Sequence, residues 1–287
     1  MDFATMIWYG DRPLQTAFER AHKLGFDYIE FSLDYPWPDQ LTGEEIALMK
    51  KLKGDYGLEI AFHGPWAGKI LSHPRDEISD ACLKVHEKCL KFASKFNPLY
   101  YNFHQFGQAA TFGFEEVKKR IFDRTLETTR RMVNLGKENG FPITIENNPH
   151  PFFGRLKHLK LVLEEISDLN FCFDVGHAVM SKWEVQRAKG EELVEKLELE
   201  DWFDFFKDKI LTVHLHDCLI KSNSRPKDHL VIGQGNLDFE KIIAMVKKTT
   251  CRHILLETYY RGDGTYPSEQ DLKNNLEFCK NSLSKNF

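Results

Sequence analysis

Two hydrophobic periods alternate along the chain. Leu14, Ala17, Phe18, Ala21 and Leu24 recur at helical spacing, and Gly25 follows where a helix C-cap belongs. Around that stretch lie short apolar runs with strand character, Phe3 to Tyr9 and Tyr28 to Leu33. The same alternation continues. Strands are expected over Leu58–Gly64, Leu99–His104, Ile143–Asn147, Asn170–Asp174, Ile210–Asp217 and His253–Thr258. The helices between them run from the capping box of Thr42 and Glu45 to just before Gly57, over Asp76–Lys95, over Phe114–Asn139 closed by Gly140, and over Leu156–Ile166. Further helices are expected over Glu184–Phe206, with an insertion, over Phe239–Lys248, and after the cap formed by Ser268 with Asp271. Eight strand–helix alternations without a linker predict one domain over residues 1–287, an α/β fold of the (β/α)8 TIM barrel type. An open, doubly wound sheet is the alternative.

The strands end unusually. Ile210–Asp217 begins as a buried β-branched run and finishes in His214, His216 and Asp217 with no turn residue before them. Others end at His63, His104, Glu146, Asp174 and Glu257, with His177 in the turn after Asp174 and His229 in a later loop. A single histidine there is most often structural, but a barrel gathers all its strand ends at one mouth. Three carboxylates about 5 Å apart repel by about 3 kcal/mol per pair at an effective dielectric of ~20, and a divalent cation offsets that. Carboxylates mixed with imidazoles suit Zn or Mn better than Ca. The connection Cys218–Asp238 is long for an idle loop, which marks it as functional.

Composition narrows the picture modestly. The formal net charge of -4 and pI near 6.3 give no basic footprint for nucleic acid. No run of ~18 apolar residues suggests a membrane span, so a soluble, cytoplasmic protein is expected. The six cysteines lack C-x-x-C spacing and read as reduced core residues, with Cys218 beside the histidines as the one of interest.

Taken together, LGFDYIE, HGP, FH, IEN, FDVGHA, VHLHD, HLVIGQGNLDF and LLET, in this order and at barrel spacing, resemble the xylose isomerase-like TIM-barrel superfamily, which includes sugar isomerases and epimerases and endonuclease IV-type apurinic endonucleases. By resemblance to the epimerases, Glu146, Asp174, His214 and Glu257 would hold one metal. By resemblance to the nucleases, His63 and His104 would join Glu146 on a second, and His177 and His229 would share a third with an aspartate. That aspartate's position is Lys227, with Asp228 one place late and expected to point elsewhere, so one or two ions per chain are expected.

Glu30, in the context G-F-D-Y-I-E, and the spelling D-V-G-H-A resemble the sugar-enzyme branch. The resemblance therefore implies an isomerase or epimerase acting on a small sugar, sugar phosphate or related hydroxy-carbonyl compound, with Glu146 and Glu257 moving a proton through an enediolate. The alternatives are an apurinic-site phosphodiesterase with two or three zincs, and a binding protein without turnover.

Several residues carry two readings. Glu30 is either a structural charge at the barrel bottom or part of the site. Trp66 would stack on a base or line a sugar pocket. Strand alternation is taken to turn His216 away from His214, making it packing or support. Asp217 either orients a ligand or caps the loop. Gly233-Gln234-Gly235 reads as a turn, and His22, His86, His158 and His253 as surface or packing residues.

Overall fold

Eight parallel strands close on themselves in the order β1-β10-β7-β6-β5-β4-β3-β2. In chain order the elements are β1 (Asp2–Ile7), α1 (Leu14–Leu24), β2 (Tyr28–Ser32), α2 (Gly43–Tyr56), β3 (Glu59–His63), α3 (Asp76–Ala93), β4 (Tyr101–Phe103), α4 (Glu115–Asn139), β5 (Ile143–Glu146) and α5 (Leu156–Glu165). They continue as β6 (Asn170–Asp174), α6 (Val175–Arg187), α7 (Leu199–Phe206), β7 (Ile210–Leu215), β8 (Asp217–Lys221), β9 (Ser224–Leu230), α8 (Phe239–Val246), β10 (His253–Leu256) and α9 (Glu269–Ser284). This computed structural model describes all residues except 9–10, 67–69, 107–113, 151–152, 188–197, 222–223 and 286–287, and leaves aside the side chains of 185–187. The end of the first expected strand, Tyr9, therefore lies outside the described residues. The closed order excludes the open sheet.

Alternation along each strand divides the core. Phe3 and Ile7 join the large shell between barrel and helices, whereas Ala4 and Met6 pack inside with Tyr28, Ala61, Tyr100 and Leu255. Two positions further on, the same inward parity brings Glu30, His63, Asn102 and Glu257. The apolar plug of the barrel is thus the floor of a polar mouth. The expected capping boxes at Thr42/Glu45 and Ser268/Asp271 form, and Gly25 and Gly140 close their helices in the left-handed region.

Three expectations change. The helix after β6 begins at Val175, so His177 lies in the first turn of α6 and not in a loop. The charged segment expected as one helix over Glu184–Phe206 contains the end of α6 and all of α7, and its residues 188–197 lie outside the described ones. The connection Cys218–Asp238 is not a plain loop, because β8 and β9 pair within it as an antiparallel hairpin. No helix among the described residues is long and apolar enough to cross a membrane.

Gly136 is the point where α4 touches β5. A Cβ there would lie 2.5 Å from Ile143 Cγ1 and 2.8 Å from the Phe141 carbonyl oxygen. Gly136→Ala should therefore destabilise the protein by about 1–3 kcal/mol through overpacking, seen as a lower denaturant midpoint with an unchanged slope. An unchanged midpoint would show that the contact is looser than this.

Candidate metal centre

Register delivers the ligands to one depth. Asp174 on β6 is level with His214 on β7, and His214 with Leu255 on β10, two residues before Glu257. Glu146 ends β5, beside Cys172. His63 ends β3, while His104 and Glu257 each sit one residue beyond their strands. All are buried, with Asp174 and His214 fully enclosed.

Five overlapping candidate metal-holding sets result among the described residues, and within each the ligand atoms lie within 4.8 Å of one another: one joins Asp174, His216, His229 and Glu257, another Glu146, Cys172 and His214, and the other three carry the argument that follows. Glu146, Asp174, His214 and Glu257 form the central set, His63, His104 and Glu146 a second, and His177, Asp228 and His229 a third. Glu146 is common to the first two. Its Oε2 lies 3.4 Å from His63 Nε2, 3.4 Å from His104 Nε2 and 3.5 Å from His214 Nδ1, while Oε1 lies 3.0 Å from His177 Nδ1.

The third set corrects the expectation that Asp228 points elsewhere. His229 has φ 53, a left-handed conformation that interrupts strand alternation, so two adjacent side chains serve one place. Asp228 Oδ1 lies 3.5 Å from His229 Nδ1.

Hydrogen bonds around these residues fix their orientation. His63 Nδ1 lies 2.8 Å from the Gly64 carbonyl, which leaves Nε2 to face Glu146. Asn147 clamps the Asp174 backbone, accepting its N–H and donating to its carbonyl, each at 2.8 Å. Asn102 donates to Glu146, and Thr144 to Asn102. The Tyr259 hydroxyl donates to Glu257 Oε1 at 2.6 Å, and its ring stacks on His229. None of Asn102, Asn147 or Tyr259 was singled out as a site residue from the sequence. Tyr259 carried one usable signal, its position two residues after Glu257.

His216 requires a second correction. Residues two apart on a strand face the same side, so His216 follows His214 inward. Its Nδ1 accepts the His229 backbone N–H at 2.7 Å, so Nε2 carries the proton that reaches both Asp174 oxygens at 3.1 Å. Gly176 is glycine for the same reason, since any Cβ there would collide with the His216 ring.

Asp217 caps the loop: its carboxylate accepts the backbone N–H groups of Cys218, Gly233, Gly235 and Leu237 at 2.7–3.2 Å. Gly233, at φ 89, makes the expected turn. Glu30 is fully buried beneath His214, inside the barrel. Trp66 stands at the rim against His104 and Phe106, 40% exposed. Cys172, expected as a core residue only, lies within ligand distance of Glu146 and His214, whereas Cys218 is buried in the hairpin. His86, His158 and His253 are packing residues, and His22 is exposed.

A cavity of about 560 Å³, lined in part by Met6, Trp8, Tyr259, Tyr260 and Tyr266, adjoins the centre through Tyr259, whose hydroxyl meets Glu257. It is a neighbour of the ligand cluster and not the cluster itself.

The charges balance within the cluster. Burial pushes His104 down to about 3, so its ring is neutral and able to ligate. Burial also opposes charge on His63 and His177, but Glu146 and Asp174 reverse this and raise them to about 9 and about 10. Burial acts to raise the Glu146 carboxyl, but the imidazoles of His104, His214, His177 and His63 outweigh it and hold the group well below the usual carboxylate range. Burial likewise acts to raise Glu257, and His214 overrides it and holds the carboxyl near 2.

The residues fit divalent ions. His214 Nδ1 lies 2.8 Å from Glu257 Oε2 without hydrogen-bond alignment, and both atoms are buried with no hydrogen-bond partner among the described residues, as are Glu146 Oε1 and His104 Nδ1. Two ligand atoms close together but not aimed at one another suit a shared cation. A divalent ion bound there would have to displace the protons on His63 and His177. Titration calorimetry near neutral pH in buffers of different ionisation enthalpy should show at least two protons released per chain. Release of none would contradict this charge state.

Residues 18–282 match the family model described as xylose isomerase-like TIM barrel. A relative from Aquifex aeolicus named "Probable endonuclease 4" is 26% identical over 243 residues, spanning 80% of this chain and 81% of that protein. Among solved structures, D-psicose 3-epimerase in the presence of D-fructose superposes with a TM-score of 0.74 at 16% identity, covering 99% of this chain and 100% of that one. The TTHB071 protein from Thermus thermophilus, soaked with ZnCl2, superposes with a TM-score of 0.70 at 19% identity over the whole of both chains. With its eight-stranded barrel and a match across nearly its full length, the chain belongs to the xylose isomerase-like TIM barrel family.

Proposed function

We propose that this protein hydrolyses phosphate esters of the phosphodiester kind from a polynuclear zinc centre in which Glu146 is shared. The enclosure of Glu146 carries this reading. Both of its oxygens face imidazoles, from His63, His104 and His214 on one side and from His177 on the other. A base that removes a proton from carbon needs a carboxylate open to substrate, whereas a bridging ligand is surrounded in this way. An epimerase centre of four ligands also leaves His63, His104, His177, Asp228 and His229 without a task. The relative named "Probable endonuclease 4" supports the same reading.

The residues of the central, second and third sets would hold divalent ions, which when bound would activate water at neutral pH and neutralise charge on a phosphate. The chain's own residues do the rest. His216 and Asn147 hold Asp174 from two sides, and Tyr259 holds Glu257 by one oxygen so that the other faces His214. Trp66, at the rim beside His104, offers a face on which a base or sugar ring can stack. Burial keeps bulk water from the ligands and strengthens every charge interaction within the mouth.

The sugar isomerase or epimerase reading keeps one specific support. Glu146 and Glu257 reach the central set from β5 and from the end of β10, and with a single metal bound they are the two carboxylates able to exchange a proton with substrate. The fold likeness to D-psicose 3-epimerase accompanies it.

The two readings separate in one pair of assays. Zinc-loaded protein should cleave an abasic DNA duplex or bis(4-nitrophenyl) phosphate, with activity lost on chelation and lowered at least about 100-fold in His104→Ala. Ketoses in deuterated water should gain no deuterium at carbon. Deuterium uptake that disappears in Glu257→Gln, together with intact phosphodiester, would give the site to the isomerase reading.

A further inference from the structure

Below the ligands, one carboxylate belongs to none of the three sets. Glu30 is fully buried on β2, and among the described residues no lysine or arginine lies within ion-pair distance of it. Its Oε2 accepts the Tyr100 hydroxyl and lies 3.5 Å from His214 Nε2, in contact but not yet aligned as a hydrogen bond, and among the described residues neither Glu30 Oε1 nor His214 Nε2 has a hydrogen-bond partner. Tyr100 is itself held by hydroxyl contacts, 3.1 Å from Tyr28 Oη and 3.4 Å from Thr212 Oγ1. Three hydroxyls, supplied by β2, β7 and the residue before β4, thus fix one acid beneath one imidazole. An aliphatic side chain would fill this space without the cost of desolvating a carboxylate, so packing does not explain the acid.

The opposite edge of that imidazole explains it. His214 Nδ1 points to the central set, 2.8 Å from Glu257 and 3.5 Å from Glu146, and Nε2 points down to Glu30. A neutral imidazole carries its proton on one nitrogen only, and the partner of one nitrogen decides what the other can do. We propose that Glu30 is a positioning residue for the metal centre: it accepts the Nε2–H of His214, and so directs the Nδ1 lone pair to the ion held by Glu146, Asp174, His214 and Glu257. Tyr100 keeps the Glu30 carboxylate turned to that task. This rests on the metal reading of the site but not on which reaction the site performs.

The test is zinc competition against a chromophoric chelator with the full chain, alongside 15N spectra of the imidazoles in zinc-loaded protein. Glu30→Gln should weaken the tightest zinc about 10–100-fold, the range found for outer partners of ligating histidines, and Tyr100→Phe should weaken it less. A role in packing alone would shift the melting of the metal-free protein and leave zinc affinity as it was. In the wild type, His214 should carry its proton on Nε2 and its metal on Nδ1. Equal zinc affinity in folded Glu30→Gln, or zinc on Nε2 of His214, would overturn the proposal. Should Glu30→Gln not fold, the nitrogen assignment in the wild type decides. Wild-type protein that binds no zinc would overturn the metal reading itself, and this proposal with it.

Discussion

The mutual repulsion of Glu146, Asp174 and Glu257 governs this structure. Strand register brings the three carboxylates within 4.8 Å of one another in a buried mouth, where charge is poorly screened. In the metal-free state imidazoles offset it, and His63 and His177 are raised to about 9 and about 10 as a result. Under the metal reading proposed above, the same rings would become ligands once a cation took over that task. The proton-bearing cluster and the metal-bearing cluster are therefore alternative solutions to one electrostatic problem, which couples metal binding to proton release.

The surrounding fold serves that cluster by restricting each group to one role. Asn147 fixes the backbone at Asp174, His216 takes both of its oxygens, and Tyr259 occupies one oxygen of Glu257. The hairpin of β8 and β9 returns His229 to the mouth, and Asp217 binds four backbone N–H groups to hold that hairpin's base. These supports lie in different elements, so the centre depends on closure of the whole barrel and not on a local motif. A buried, pre-organised site of this kind favours stabilisation of charge over large rearrangement.

Much of this was legible in the sequence. The two periods, the capping boxes and the glycine caps foretold the strand and helix order because each depends on local chemistry. The candidate ligands at the strand ends were legible for the same reason, since a buried strand that stops on a histidine or glutamate departs from its own apolar pattern. What escaped depended on parity or on a single dihedral angle. His216 was set on the wrong face although two residues of separation keep the same face. Asp228 was set aside because the left-handed turn at His229 leaves no mark on composition. Tyr100, Asn102 and Tyr259 resemble packing residues until the barrel closes and shows which carboxylate each one meets. Glu30 was visible as an anomaly, but its partner lay 184 positions away on a strand whose place only the closed sheet reveals.

Shared ligation by Glu146 is what distinguishes a polynuclear centre from the four-ligand site also available here. Anomalous diffraction from crystals grown with zinc addresses it directly, because it locates each ion and its ligands together. The prediction is two or three zinc peaks, with Glu146 bound to one ion alongside His63 and His104 and to a second alongside Asp174, His214 and Glu257. A single peak in the central set, with His63 and His104 unligated at saturating zinc, would contradict it.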